Sequence, residues 1–181
     1  GENTGATEFI RRLNSKIHER HPGVMMIAED STDFTKVTHP VEYGGLGFDY
    51  KWDLGWMNDT LKYYSKDPIY KKYEHNKLTF SMAYFFSENF LLPLSHDEVV
   101  HGKGTIINKM FGDYDTKFAL LRNLYAYQFA HPGKKLNFMG NELASFDEWN
   151  ELRSLPWELL AYPKHDSVRR MFRDLNLIYR Y

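Results

Sequence analysis

Hydrophobic and polar positions along the chain follow two periods in turn. From Ala6 to His21, Phe9, Ile10, Leu13 and Ile17 recur at helical spacing while Arg11, Arg12, Lys16 and Glu19 take the other face, which predicts an amphipathic helix. Pro22 and Gly23 stop it. The continuous run Val24-Met25-Met26-Ile27-Ala28 then has the length of a strand buried on both faces, with Glu29, Asp30, Ser31 and Thr32 at its C-terminal end. Pro40 and Gly44-Gly45 mark the region up to Gly47 as loop, Phe48 to Trp52 reads as a short strand, and Asp59 is the expected cap of a helix through Tyr64. Lys66 to Lys77 reads as a surface connection and Leu78 to Phe86 as helical.

A third apolar run, Phe90-Leu91-Leu92-Pro93-Leu94, delivers Ser95-His96-Asp97-Glu98 to one point. Pro93 has no N–H to give a sheet ladder, so it must stand where none is needed. Gly102-Lys103-Gly104 opens a loop to about Tyr114, and Asp115 is the expected N-cap of a helix over Lys117 to His131 with the stripe Phe118, Leu121, Tyr125, Phe129. His131-Pro132-Gly133 repeats the earlier His21-Pro22-Gly23, and again a strand follows, Lys135 to Met139, with Gly140-Asn141-Glu142 beyond it. A last helix, Asp166 to Tyr181, carries Val168, Met171, Phe172, Leu175 and Ile178 on one side.

The unit of helix, His-Pro-Gly, strand and acidic residue thus occurs twice, and alternating strands and helices imply an α/β fold with a parallel sheet. Four strands are expected. A closed eight-stranded barrel takes about 250 residues, so 181 residues are too few for one. A chain that opens on a helix before its first strand and closes inside another reads as one partial barrel domain over residues 1–181, a piece of something larger. Half a barrel exposes two sheet edges and much apolar surface, so self-association is expected.

Composition narrows the chemistry. Basic and acidic residues nearly cancel, 23 against 24, and no basic strip stands out, which argues against nucleic acid and anionic membranes as partners. No run approaches the length that spans a bilayer. Zero cysteines remove thiol catalysis, disulfides and cysteine zinc sites, and fit the cytoplasm. Aromatic residues make up 17%, which suits stacking on sugar rings but equally fills a core.

Glu29, directly after an apolar strand, suits a general acid whose pKa an apolar rim would raise, or else it is a solvated residue starting a loop. His96 beside Asp97 at a strand end suits binding of hydroxyls and stabilisation of positive charge, or else is a surface charge cluster. His96, Glu98 and His101 superficially suggest zinc. That signature needs two histidines four apart on one helical face, and these are five apart after a strand. Trp52 and Trp56 suit core packing or a sugar platform. Gly102 and Gly104 make no phosphate motif.

The stretches Val24 to Ser31, Gly47 to Leu61, Leu92 to Val99 and Phe138 to Glu142 together resemble the C-terminal half of the catalytic barrel of the 1,4-α-glucan branching enzymes, in the α-amylase family of glycoside hydrolases. The second stretch resembles branching enzymes in particular. The resemblance covers essentially the whole chain and implies strands five to eight of a (β/α)8 barrel. It also implies Glu29 as general acid/base, Asp97 as the aspartate that stabilises the transition state, and His96 as a contact to sugar hydroxyls. Trp52, by its place at a strand end and not by the resemblance, is the further substrate contact expected. The implied reaction is retaining transfer of an α-1,4-linked glucan to a 6-hydroxyl, with an α-glucan as partner and no cofactor or metal. The family's nucleophilic aspartate, in an Arg-x-Asp motif after the fourth strand, has no counterpart here, so this chain alone is expected to be inactive. An amylase-type or debranching hydrolase, or a carbohydrate-binding module with vestigial catalytic residues, are the alternatives.

Overall fold

The computed structural model describes residues 2–180. Its helices are α1 (Thr4–Arg20), α2 (Leu54–Ser65), α3 (Pro68–Lys71), α4 (Asn76–Thr79), α5 (Tyr114–Ala130) and α6 (Pro163–Arg180). Its strands are β1 (Ile27–Ala28), β2 (Tyr50–Trp52), β3 (Phe90–Leu94) and β4 (Lys134–Asn137). The strands form one parallel sheet in the order β1-β2-β3-β4. Each strand lies beside its predecessor, and right-handed crossovers then place every connection on the same face. An open doubly wound sheet reverses its order partway. A sheet that never reverses is an arc of an α/β barrel, here half of a (β/α)8 barrel, as the sequence led us to expect.

Register fixes which side chains share a face. Ile27 pairs with Tyr50, Trp52 with Leu91 and Pro93 with Leu136, so these residues line the concave face. Phe90, Leu92 and Leu94 take the other, where α2, α5 and α6 cover them. Leu92, Leu94, Trp56, Phe118, Leu121, Leu124, Tyr125 and Val168 form the main core there. Each such fully buried Leu contributes roughly 1.5–3 kcal/mol, so this layer carries the fold and the concave face is left for chemistry.

Several expected elements shift. The first strand is two residues long, not five, because the Asp49 carboxylate takes the Met26 amide at 2.6 Å where a ladder bond would be. Helix α2 begins at Leu54 with Asp53, not Asp59, as cap; the Asp53 Oδ1 accepts the Trp56 amide at 2.8 Å. Asp113 caps α5 in place of Asp115, accepting the Thr116 amide. The expected helix over 78–86 is broken into α4 and two 3₁₀ turns, Phe80–Ala83 and Phe85–Ser87. No α-helix follows β1, only the 3₁₀ turn Val41–Tyr43, as the loop reading implied.

Pro93 lies mid-sheet, yet its missing donor is harmless. Leu91 accepts the Asp53 amide from the β2 side at 2.9 Å, so Pro93, two residues on, faces the same side, where β2 has already ended at Trp52. Helix α1 departs furthest from expectation. Its apolar residues Phe9 and Leu13 stay exposed while Thr7 and Asn14 are buried. Asn14 donates to the Leu46 carbonyl at 2.8 Å, and Arg11 donates to the carbonyls of Gly44 and Gly45, so α1 docks largely by polar contacts, with Ile10 packing partly buried against the cluster of Ala28, Val37 and Leu46.

Candidate active site

The side chains singled out in the sequence converge at the C-terminal ends of the strands. Glu29 follows β1, is solvent-exposed and has no hydrogen-bond partner among the described residues. The apolar rim expected around Glu29 from the run before it would bury the carboxyl. The structure leaves it open, because Met25 and Ile27 beside it are themselves exposed. Its neighbour Asp30 is occupied by Lys51, whose buried ammonium lies 3.0 Å from Oδ2. Burial alone would raise the Asp30 pKa. The Lys51 ammonium and the amide and hydroxyl of Thr32 outweigh it and hold the carboxyl below its usual range.

At the end of β2, Trp52 is half-buried on the concave face and Asp53 is buried against α2. Asp53 Oδ1 accepts both the Trp56 amide and the Tyr84 hydroxyl, at 2.8 Å each, and burial outweighs these bonds to raise its pKa. Trp56 is fully buried in the core, which settles it as packing and not a sugar platform.

β3 ends in a 3₁₀ turn, His96–Glu98, built as a reciprocal cap. The Glu98 Oε2 accepts the amide and the hydroxyl of Ser95, both at 2.8 Å, while the Ser95 Oγ accepts the Asp97 amide at 3.3 Å. Glu98 is thereby buried and turned inward, and His96 and Asp97 are turned out. Their side chains are about half exposed, 52% and 53%, with His96 Nε2 3.3 Å from Asp97 Oδ1. The His96 ring also lies 6.0 Å from Phe138, just past β4. His101, the third member of the zinc-like trio, sits in a left-handed turn (φ 49°). Among the described residues no three His, Asp or Glu side chains converge as metal ligands.

The loops after β3 and β4 are laced together. The Glu148 carboxylate accepts the amides of Gly102 and Gly104, at 2.9 and 2.6 Å, both glycines having positive φ. Those bonds hold its pKa low. Asn108 donates to the Phe146 carbonyl at 2.7 Å, the Trp149 amide to the Val99 carbonyl at 3.0 Å, and the Lys109 ammonium to the carbonyls of Glu98 and Lys103. Between them lies a cavity of about 160 Å³, lined by Val99, Met139, Asn141 and Trp149 among others. Sequence reasoning missed Glu148 and Lys109. The Gly-x-Gly was visible, and paired glycine amides make an anion-binding nest, but their acidic partner comes 44 residues later, as Glu148 for Gly104.

At β4, Glu142 Oε2 accepts the Gly140 amide at 3.0 Å, and Asn141 donates to the Leu94 carbonyl at 3.1 Å, fastening this loop to β3. The structure therefore brings His96 and Asp97 together, and sets Glu29 two strands away, about 10 Å at the usual strand spacing.

No family model matches the chain. It is 58% identical over 179 residues to the 1,4-alpha-glucan branching enzyme GlgB of Aquifex aeolicus, covering 99% of this chain and 28% of that protein. The protein of the same name from Thiobacillus denitrificans is 55% identical, with 99% and 24% covered. The chain thus spans about a quarter of the length of these curated relatives. Among solved structures, the cyclic α-maltosyl-(1→6)-maltose hydrolase of Arthrobacter globiformis superposes with a TM-score of 0.63 at 15% identity, over 93% of this chain and 37% of that one. The α-amylase of H. orenii does so with a TM-score of 0.59 at 15% identity, over 96% and 40%. At that identity the structural likeness speaks for the fold alone, while the sequence likeness runs along essentially the whole of this chain: it is similar, at 58% and 55% identity, to one segment of the 1,4-alpha-glucan branching enzymes of these two organisms.

Proposed function

We propose that this segment is a single partial barrel domain, residues 1–181, that supplies two carboxylates to a 1,4-α-glucan branching reaction of the retaining type. One observation supports this reading above the others. Of the acidic side chains at the strand ends, Asp30, Asp53, Glu98 and Glu142 are each engaged by a lysine, a hydroxyl or a backbone amide, whereas among the described residues Glu29 has no hydrogen-bond or ion-pair partner and Asp97 only His96. Free carboxylates facing solvent at a barrel's C-terminal rim are available for substrate.

In this reading an aspartate outside the chain attacks the anomeric carbon of an α-1,4 bond, and Glu29 protonates the departing 4-oxygen. The 6-hydroxyl of a second glucan then attacks the glycosyl–enzyme bond, Glu29 takes the hydroxyl proton, and the aspartate is released. Asp97 stabilises the positive charge at the anomeric centre, while His96 donates to a sugar hydroxyl and Trp52 offers its ring face. The substrate is an α-glucan and the setting the cytoplasm; among the described residues no helix is long and apolar enough to cross a membrane. Taken alone, the segment performs no turnover and associates through its open edges, where Phe9, Val24 and Met25 are exposed.

The test places Glu29→Gln and Asp97→Asn in a full-length protein containing this segment and counts new α-1,6 linkages by proton NMR of the product. Each variant is expected to lose branching by about 10²–10⁴-fold. Undiminished branching in either one removes that residue from its role, and release of reducing ends without new branches in the parent would reassign the reaction as hydrolysis.

A further inference from the structure

Glu98 is a buried acidic group beside the proposed site for which the reaction has no use. A 3₁₀ turn of three residues has little stability of its own. Among the described residues the one polar partner of the Asp97 carboxylate is His96 at 3.3 Å, so its aim depends on its backbone. That backbone is held by a short chain of bonds: the Asp97 amide donates to Ser95 Oγ at 3.3 Å, and the Ser95 hydroxyl donates to Glu98 Oε2 at 2.8 Å. The same oxygen takes the Ser95 amide at 2.8 Å, closing the turn. From the far side, the Lys109 ammonium grips the Glu98 carbonyl, and the Trp149 amide grips the Val99 carbonyl.

We propose that Glu98 is a positioning residue for Asp97, acting through Ser95 to fix the turn on which Asp97 and His96 are presented. The proposal rests on the reading of Asp97 as the carboxylate that stabilises the transition state. Glu98 itself never meets substrate, because both its bonds run inward to Ser95 and its side chain is covered. Misplacing a reacting group by about 1 Å costs on the order of 100-fold in rate. An interaction that aims Asp97 should therefore appear in kcat and leave KM nearly unmoved, since ground-state binding of a long glucan does not depend on it.

The experiment uses a full-length protein containing this segment, with steady-state branching kinetics on amylose for Glu98→Ala, Glu98→Gln, Ser95→Ala and the double Ser95→Ala/Glu98→Ala variant, beside Asp97→Asn. The expected results are a loss of about 100-fold in kcat for Glu98→Ala and a return to within about threefold of the parent for Glu98→Gln, whose carbonyl oxygen still accepts from Ser95. The double variant should be no worse than Glu98→Ala, because both changes cut one chain. If Glu98→Ala does not accumulate as folded protein, Ser95→Ala removes the middle link alone and is expected to lower kcat about tenfold at constant KM. Glu98→Ala, or in its absence Ser95→Ala, with kcat within about twofold of the parent overturns the proposal. So does Glu98→Gln falling as far as Glu98→Ala, which would mean that the charge acts directly. An active Asp97→Asn removes the reading beneath the proposal; an inactive one beside an active Glu98→Ala removes the positioning role only.

Discussion

Gln128 offers a sharp test of how the helix layer holds the strands that carry the site. It lies on α5, fully buried, and its Nε2 donates to the carbonyls of Leu92 on β3 and Leu136 on β4 at 3.1 and 3.3 Å. Its Oε1 accepts from Asn137 Nδ2 at 2.8 Å, while Asn137 Oδ1 is buried with no hydrogen-bond partner among the described residues. Replacing Gln128 by Leu removes two long bonds, worth about 1 kcal/mol together, and strands the Asn137 amide at about 1–3 kcal/mol. The added apolar burial returns roughly 1 kcal/mol. The net expectation is a destabilisation of about 1–3 kcal/mol. Asn137→Leu strands the Gln128 oxygen but abolishes an acceptor that was already unsatisfied, so it should cost less, about 0–2 kcal/mol. The double Gln128→Leu/Asn137→Leu variant strands no side-chain group and should lie near the parent, so the coupling equals the sum of the two single costs, about 1–5 kcal/mol. Urea denaturation followed by tryptophan fluorescence measures all four proteins, provided the slope with denaturant stays constant. Singles whose costs simply add in the double variant would refute the reasoning, since the orphaned-partner argument requires that they cancel.

The remaining predictions probe other joints. Glu88 accepts the amides of Val37 and Thr38 at 2.8 Å each and the Thr38 hydroxyl, pinning the post-β1 loop to the start of β3; Glu88→Ala should cost about 2–4 kcal/mol and speed proteolysis within 30–47, as read by limited trypsin digestion. His131 is buried, donates from Nδ1 to the Pro132 carbonyl and accepts the Ser81 hydroxyl at Nε2, and burial lowers its pKa below 6.5. The unfolded chain therefore binds a proton that the folded one refuses, so the His131 contribution is complete above pH 6.5 and falls away with acid until the folded pKa is passed. Denaturation midpoints between pH 5 and 7 should slope less in His131→Phe than in the parent; equal slopes would acquit this residue. Gly133 has φ 109° with a Cβ that would stand 3.1 Å from the Phe90 carbonyl, whereas a Cβ at Gly23 meets nothing within 4 Å. Gly133→Ala should cost about 1–3 kcal/mol and Gly23→Ala almost nothing, by thermal melting.

That last contrast shows what a sequence motif can and cannot convey. The two His-Pro-Gly stops read alike, and both do end a helix ahead of a strand. Only the second presses its glycine against a neighbouring strand, and that demand arises from β3, far away in sequence. The four strands, their parallel sense and the long helices were legible because each rests on local periodicity and on breakers beside it. Which face of α1 is buried was not. Of the apolar stripe, Phe9 and Leu13 stay exposed while Ile10 packs against Ala28, Val37 and Leu46, and the carbonyls of the 44–46 turn select Asn14 and Arg11.

The candidate site divides along the same line. A carboxylate after an apolar run is easily found by eye, and this chain has several, Glu29, Asp30, Asp53, Asp97, Glu98 and Glu142. What separates them is long-range. Lys51, 21 residues after Asp30, removes Asp30 from contention, and Tyr84, 31 residues after Asp53, helps to bury Asp53. Glu98 is the exception, since its partner Ser95 is three residues away and the cap they form has the Ser-x-x-Glu pattern visible in the sequence. Read with that pattern, the run Ser95-His96-Asp97-Glu98 already says that the serine and the glutamate face each other, and that the two residues between them must turn outward. A capping box at the end of a buried barrel strand is then a device for presentation, and the residues between its two arms are the ones to suspect of chemistry.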